Sequence, residues 1–363
     1  MRDVFASGYF GLAAKVVEFE QRIASQIGAG AVVATNSGTS ALHLALDALG
    51  IGRGDEVIVP SLTFVACFQA IAATGATPVA CDVLSDSLLI DVQDARRRIT
   101  PRTKAIMPVH YGGRPCDMDA LLELARPSRL RVVEDAAHAF GSSHRGRRVG
   151  SFGDVACFSF DSIKNITCGE GGAVVCRDDR LAGLMRRKRL LGIERKGQTS
   201  TSWKERGWHF EVETLGFRYH MSAINAAIGI VQLRKLAAFV ARRRAICARY
   251  DAALAEERGI SLIPGGYDEI APHIYVVRVL DGLRDALMNR LKERDIETGI
   301  NYVPNHLHPF FRRPGIALPV TDRAYGEILT LPLHCELADA DVDVVVDVIR
   351  EFLRESRQAR VIA

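Results

Sequence analysis

Between residues 31 and 135, short apolar runs alternate with stretches of helical spacing, and this alternation constrains the fold more than any other feature of the chain. Ala31 to Ala34 is a short apolar segment. Glu56–Pro60, Pro78–Val83, Lys104–His110 and Arg131–Glu134 read as strands. Ala41–Leu49, Phe64–Thr74, Ala95–Ile99 and Asp119–Ala125 read as helices. Strands and helices alternating at this spacing predict an α/β fold, with a mostly parallel sheet flanked by helices on both faces. In such a sheet, ligands gather beyond the carboxyl ends of the strands.

The next stretch departs from that pattern. Val155–Phe160 and Ala173–Cys176 are apolar runs joined by only about a dozen residues, too few for a parallel crossover that holds a helix. An antiparallel pair joined by a glycine-rich loop is expected, with Lys164 on the loop. A lysine beside apolar strands loses its proton more readily than a free one, because burial disfavours the charged form. A neutral lysine amine attacks carbonyls and forms Schiff bases. A solvated loop lysine is the commoner outcome for a lysine taken at random, so Lys164 is weighed with its neighbours.

Two further places matter. Asn36-Ser37-Gly38-Thr39-Ser40 leads into a helix, and free backbone N–H groups there suit an anion. Ser and Thr are equally at home at that position as simple caps. Asp135 and His138 lie just past a strand end at the same predicted sheet edge, where a lone Asp is commonly a turn residue. An anion site, a strand-end carboxylate and a loop lysine together fit pyridoxal 5′-phosphate (PLP). That cofactor needs its phosphate held, its ring nitrogen paired with an acid and its aldehyde joined to a lysine.

Composition bounds the alternatives. The chain has 363 residues, enough for two domains. A net charge of +4 is too mild to argue for nucleic acid. The basic runs Arg96–Arg98, Arg186–Arg189 and Arg242–Arg244 read as solvated helix faces, or as a docking surface for a small anion. The eight cysteines form no CxxC pair, so buried reduced thiols and no zinc or other metal site are expected. The apolar runs are shorter than a membrane span and no signal-peptide core follows Met1, so a cytoplasmic protein is expected.

Elsewhere, residues 1–14 read as irregular, Val16–Ile27 as an amphipathic helix, and Gly192–Thr214, with Trp203 and Trp208, as a mobile loop. A long helix runs from Ser222 to about Glu257, and Ala226-Ala227-Ile228-Gly229 suggests close packing. Ile274–Leu280 and Thr298–Tyr302 read as strands, Leu283–Glu293 and Val342–Leu353 as helices. The expected division is a large cofactor-binding domain, 1–240, and a smaller α+β domain, 241–363.

Taken in order, Asn36-Ser37-Gly38-Thr39-Ser40-Ala41-Leu42, Gly54-Asp55-Glu56-Val57-Ile58-Val59-Pro60, Thr63-Phe64, Glu134-Asp135-Ala136-Ala137-His138-Ala139, Gly150-Ser151-Phe152-Gly153-Asp154 and Phe158 to Gly172 resemble the DegT/DnrJ/EryC1/StrS sugar-nucleotide aminotransferases. The resemblance implies the PLP-dependent transferase fold type I, like that of aspartate aminotransferase. It implies that Lys164 is the Schiff-base lysine and proton shuttle, and that Asp135 pairs with the pyridine nitrogen. It places His138 near the ring hydroxyl, Gly38, Thr39 and Ser159 on the phosphate, and Phe64 against the ring. Members often read Gly-x-Asn-x-Arg after the mobile loop, reaching a neighbouring subunit's cofactor. Here Gly216-Phe217-Arg218-Tyr219-His220 puts Arg218 for the Asn and His220 for the Arg. Tyr302, His306 and His308 are candidate substrate contacts.

The implied activity moves an amino group from L-glutamate to a keto sugar nucleotide, with pyridoxamine phosphate (PMP) between the half-reactions and a homodimer sharing its sites. A 4-keto-6-deoxyhexose nucleotide is the expected acceptor, for cell-surface glycan or antibiotic sugars. Amination at sugar carbon three, a non-nucleotide cyclic ketone and a non-catalytic scaffold stay open. A dehydratase of the same fold would carry His where Lys164 stands.

Overall fold

The computed structural model describes residues 1–28, 30–194 and 210–362. Its first half is built from α1 (Arg2–Ser7), α2 (Ala14–Ile27), β1 (Ala31–Thr35), α3 (Gly38–Ala48), β2 (Glu56–Pro60), α4 (Ala66–Ala73), β3 (Thr77–Cys81), α5 (Val92–Arg97), β4 (Thr103–Ile106), α6 (Met118–Ala125) and β5 (Arg131–Asp135). A small hairpin follows, β6 (Ser143–His144) and β7 (Arg147–Arg148), then β8 (Val155–Ser159), β9 (Gly172–Cys176) and α7 (Asp179–Lys188). Beyond these lie β10 (Ile193–Glu194), β11 (Glu211–Val212), α8 (Ala223–Leu254), β12 (Ile260–Leu262), β13 (Tyr275–Val279), α9 (Arg284–Lys292), α10 (Pro319–Glu327), β14 (Ile328–Leu331) and α11 (Asp339–Ile362).

Seven strands form the central sheet in the order β1-β9-β8-β5-β4-β2-β3. The pairs β2–β3, β2–β4, β4–β5 and β5–β8 are parallel. Strand β9 runs against both its neighbours, with Ser159 opposite Gly172 and Thr35 opposite Gly172 on its other side. The sheet is therefore mixed and mostly parallel, and the pair flanking Lys164 is antiparallel as the short connection requires. Because only β9 is reversed, the carboxyl ends of β1, β2, β5 and β8 share one edge.

Side chains alternate across the sheet with the strand period of two. Val33, Val155, Cys157 and Val174 join one core with residues of α3, α4 and α7. Val32, Ala156, Phe158 and Val175 join another with residues of α2 and α8. The two helical layers thus cover opposite faces. Helix α8 is long and apolar enough by length and composition to cross a membrane. Here it is a core helix: its first half packs on α2, and Ile246, Cys247, Tyr250 and Leu254 enter a C-terminal core with β13, β14, α9 and α11. Gly229 makes the α2 contact possible, since a Cβ there would lie 2.7 Å from the Phe19 ring.

Several expectations are corrected. Residues 2–7 are helical rather than irregular, because Val4 buries against Ala223 and Ala227 of α8. The helix expected from Phe64 starts at Ala66, leaving Phe64 in the preceding turn. No strand forms at 298–302. Gly299 makes a single bridge with Thr330, and the Asn301 side chain and carbonyl are instead bonded by Thr330 and Tyr111. Strands β12 and β14 flank β13 in its place. The basic runs are mostly bonded inside the fold. Lys188 pairs with Asp47 and buried Arg189 with Glu20. Arg243 donates to the carbonyls of His273 and Leu333, and Arg244 to those of Ile270 and Asp268. All eight cysteines are free, seven of them buried. Trp203 and Trp208 lie outside the described residues, with most of the expected loop.

Candidate active site

The shared strand edge opens into a cavity of roughly 300 Å³. Gly38, Thr39 and Ser159 line one side, and Phe64, Asp135, His138, Lys164 and Tyr302 line the rest. Residues far apart in the chain thus converge on one space.

The anion side comes from α3. Ser37 caps the helix, its side chain accepting from the Ser40 N–H, with Ser40 answering in a reciprocal capping box. That arrangement leaves the first helical N–H groups, those of Gly38 and Thr39, without intrahelical partners. Ser159 at the end of β8 closes the cradle. A Cβ on residue 38 would lie 2.8 Å from the Ser159 Cβ, so only glycine lets the helix end approach this strand.

The carboxylate comes from β5. Glu134 and Asp135 are adjacent and buried, and the strand period sends them to opposite faces. Glu134 accepts from the backbone N–H groups of Gly150, Phe152 and Gly153 at 3.0, 3.0 and 2.7 Å, and from His110 at 3.1 Å. It fastens the 150–153 loop and does not face the cavity. Asp135 does face it. Its Oδ1 accepts from the Ala137 N–H at 3.0 Å and its Oδ2 from the Cys67 thiol at 2.8 Å. Burial and the carboxylate push the Cys67 thiol well up, so it stays a donor.

Lys164 sits in a loop closed by local bonds. The Phe160 N–H donates to Gly171, that of Cys168 to the Phe160 carbonyl, and that of Ile163 to the Asp161 carboxylate. The Asn165 side chain donates to Ala271 at 3.0 Å, tying the loop to the C-terminal segment. Burial pulls the Lys164 amine below the ordinary lysine range, against the opposing pull of Asp135 and Asp161. His138 accepts from the Gly112 N–H at Nδ1, so its proton is on Nε2 and donates to the Tyr302 hydroxyl at 2.9 Å. The Tyr302 proton is then free to point into the cavity. Burial, then the nearby Lys164 charge, keeps His138 neutral. The Phe64 ring is 53% exposed and lies 5.5 Å from the Tyr302 ring.

Other candidate residues lie elsewhere. His306 is buried between the Ser61 hydroxyl and Asp322, at 2.8 and 3.0 Å, and His308 caps the short turn, Asn305–Leu307, that contains it. Neither lines the cavity. Arg218 and His220 run beside the Asn36 turn, where the Arg218 carbonyl accepts from Asn36 and His220 bridges to Thr35. Burial, Arg218 and Arg189 push His220 below its usual range. The sequence reading missed Cys67 and His273. His273 is buried with Nε2 3.4 Å from the Lys164 amine. It follows Lys164 by more than a hundred residues with no motif around it.

The profile of the DegT/DnrJ/EryC1/StrS aminotransferase family matches residues 1–350. The chain belongs to this family. It is 38% identical to the spore coat polysaccharide biosynthesis protein SpsC of Bacillus subtilis, over 97% of this chain and 93% of that one. Among solved structures, the aminotransferase TlmJ of Streptoalloteichus hindustanus is 40% identical, covering 98% of this chain and 95% of its own, with a TM-score of 0.91. A candidate sugar aminotransferase, Spr1654 of Streptococcus pneumoniae, has a PMP form that is 28% identical over 97% of this chain and 95% of its own, with a TM-score of 0.91. Its PLP form is similar at a TM-score of 0.89. The chain is thus an aminotransferase of fold type I, in a family of PLP-dependent sugar aminotransferases. The donor set of the cavity fits PLP: a helix N-terminus for an anion, a buried carboxylate for a ring nitrogen and a desolvated amine for an aldehyde.

Proposed function

We propose that this aminotransferase moves the amino group of L-glutamate to a keto sugar nucleotide, with a nucleoside-diphosphate 4-keto-6-deoxyhexose as acceptor. The observation that carries the reading is the convergence of Lys164, Asp135 and the α3 N-terminus on one cavity. The sugar class is supported by the family and by the polysaccharide role named for SpsC. PLP, when bound, supplies the aldehyde that receives the amino group and the ring that takes up the electron pair left by a departing proton.

The chain's own residues do the rest. Gly38, Thr39 and Ser159 would hold the phosphate with backbone N–H groups and a hydroxyl. Asp135 would pair with the ring nitrogen and is kept in orientation by Cys67 and Ala137. Phe64 would pack against the ring. Lys164 takes a proton from the donor's α-carbon and returns it on the other side of the transfer, which its lowered basicity suits. The Tyr302 hydroxyl, its oxygen satisfied by His138, donates to an oxygen of the substrate. Glutamate leaves as 2-oxoglutarate, and the keto sugar leaves as the amino sugar.

The working unit on this reading is a homodimer in which Arg218 and His220 serve the neighbouring cavity. Exposed apolar side chains near the opening and in the segment before α8, namely Phe64, Ile163, Phe210, Val212 and Leu215, support burial by a second copy. Residues 1–240 would form the cofactor-binding unit, and 241–363 a smaller unit that lends it His273 and Tyr302.

The test is an absorption spectrum of the PLP-loaded protein before and after L-glutamate, followed by keto sugar nucleotides. A near-visible band that moves to the ultraviolet with glutamate, and returns with the 4-keto acceptor, is expected. Lys164→Ala shows no such shift. A band indifferent to glutamate refutes the donor, and one that returns only with a non-nucleotide ketone refutes the acceptor.

A further inference from the structure

Among the described residues, the group within hydrogen-bonding distance of the Lys164 amine is an imidazole, His273, at 3.4 Å. Carboxylates reach the amine only through space, from Asp135 at the end of β5 and Asp161 in its own loop, as does the Cys67 thiol of α4. His273 is held on every side. Its N–H donates to the Gly112 carbonyl at 3.1 Å, its carbonyl accepts from Arg243 at 3.0 Å, and its ring packs 4.3 Å from that of His138. The residue is 5% exposed, and its Nδ1 is buried with no hydrogen-bond partner among the described residues.

That unpartnered nitrogen decides which ring nitrogen carries the proton. A buried N–H without an acceptor is rarer than a buried lone pair without a donor. The Arg243 guanidinium also acts on this ring, and a lone pair suits a nearby cation better than an N–H does. Both considerations put the proton on Nε2, aimed at Lys164. A donor aimed at an amine is satisfied only when the amine keeps its lone pair.

We propose that His273 is a positioning residue for Lys164: its Nε2–H donates to the lysine's lone pair and steadies the neutral amine whenever that amine is not joined to the cofactor. The inference rests on the aminotransferase reading of the cavity. At 3.4 Å the bond is long, so the amine is placed without being locked and can turn toward a substrate carbon. Burial of the lysine acts in the same direction, and burial keeps both His138 and His273 neutral. His273 in turn is fixed by Arg243 and Arg244 of α8, which bond carbonyls of residues 268–273.

The test uses the full chain stripped of cofactor. Added PLP is captured as the lysine amine condenses with the aldehyde and water leaves, and the rate is read by absorbance from neutral to alkaline pH. Only the neutral amine attacks, so the rate profile reports the Lys164 midpoint. His273→Phe keeps the bulk and removes the donor. The midpoint should rise by roughly one unit, the worth of a typical net hydrogen bond. If His273 merely excluded water, the more apolar Phe would leave the midpoint in place or lower it, and either result overturns the proposal. His273→Met carries the same expectation should Phe not fit. Nitrogen-15 spectra of the wild-type apoprotein need no substitution, and a proton on Nδ1 of His273 would also overturn it. Failure of the wild type to capture PLP would instead sink the reading of the cavity itself. Normal capture with an unmoved profile sinks only the role of His273.

Discussion

Replacing Gly38 by alanine separates two opposite expectations. Gly38 is the first residue of α3, and exchanging glycine for alanine in a helix ordinarily stabilises it by up to about 1 kcal/mol. Here the new Cβ would lie 2.8 Å from Cβ, 3.1 Å from Oγ and 3.3 Å from Cα of Ser159. Ser159 ends β8 and is paired with Gly172 of β9, so its backbone is held against stepping aside. Overpacking of this kind costs about 1–3 kcal/mol, leaving a net loss of roughly 1–2 kcal/mol. With an unfolding entropy near 2.1 cal/mol/K per residue, that lowers the Tm of a 363-residue chain by about 2 °C. The helix end must also back away from the phosphate position, and losing one charge-assisted N–H contact weakens PLP binding by about tenfold. Thermal unfolding with and without PLP, and a PLP titration, read both effects. An alanine variant as stable as the wild type with unchanged PLP affinity would refute the close approach, and with it the assignment of this helix end as the phosphate cradle.

Two further perturbations test the surroundings of the cavity. Burial pushes the Glu134 carboxyl up, but the bonds from His110, Gly153 and Gly150 outweigh this and hold it below its ordinary range. Glu134→Gln turns an amide N–H toward backbone donors and should cost about 2–4 kcal/mol in urea unfolding; a loss under about 0.5 kcal/mol would refute the clamp. A lowered amine, unlike a lowered carboxylate, weakens the fold at neutral pH, because burial penalises the charged form it carries there. The folded pKa of Lys164 lies below the 10.5 of the unfolded chain, so between the two the unfolded state binds more protons. Cofactor-free Lys164→Met should therefore be the more stable protein at neutral pH, with its advantage shrinking as pH rises toward the unfolded value. A pH-independent difference would mean that the amine is not desolvated.

The parts of the fold and site that could be read in the sequence are those set by neighbours along the chain. Strands β8 and β9 and the loop between them follow from two apolar runs and the shortness of their connection. Ser37 to Ser40 carries its own capping box. The position of Asp135 at a strand end is likewise local. What could not be read depends on partners distant in sequence. Helix α1 has only six residues and exists because Val4 has α8 to bury against. Thr298 to Tyr302 carries Ile300 and Tyr302 at strand spacing, yet the polar groups of Asn301 are met by Tyr111 and Thr330, so no ladder forms. The basic run Arg242–Arg244 reads as a solvated face until Arg243 and Arg244 are seen bonded to carbonyls of 268–273.

The same division runs through the chemistry. Sequence places an amine, a carboxylate and an anion site at one sheet edge, because all three sit at ends of strands that point the same way. What tunes them comes from across the fold. The Cys67 thiol of α4 orients Asp135, and His138 and Tyr302, brought together from opposite halves of the chain, aim a proton into the cavity. Asn165 helps bring His273 to Lys164 by anchoring the lysine loop to Ala271, two residues before it. Loosening that anchor should therefore disturb the amine without touching it, and Asn165→Ala belongs with the His273 variants in the PLP-capture assay. A raised midpoint in both would mean that the amine's basicity is set by the docking of the C-terminal segment, not by the loop that carries the lysine.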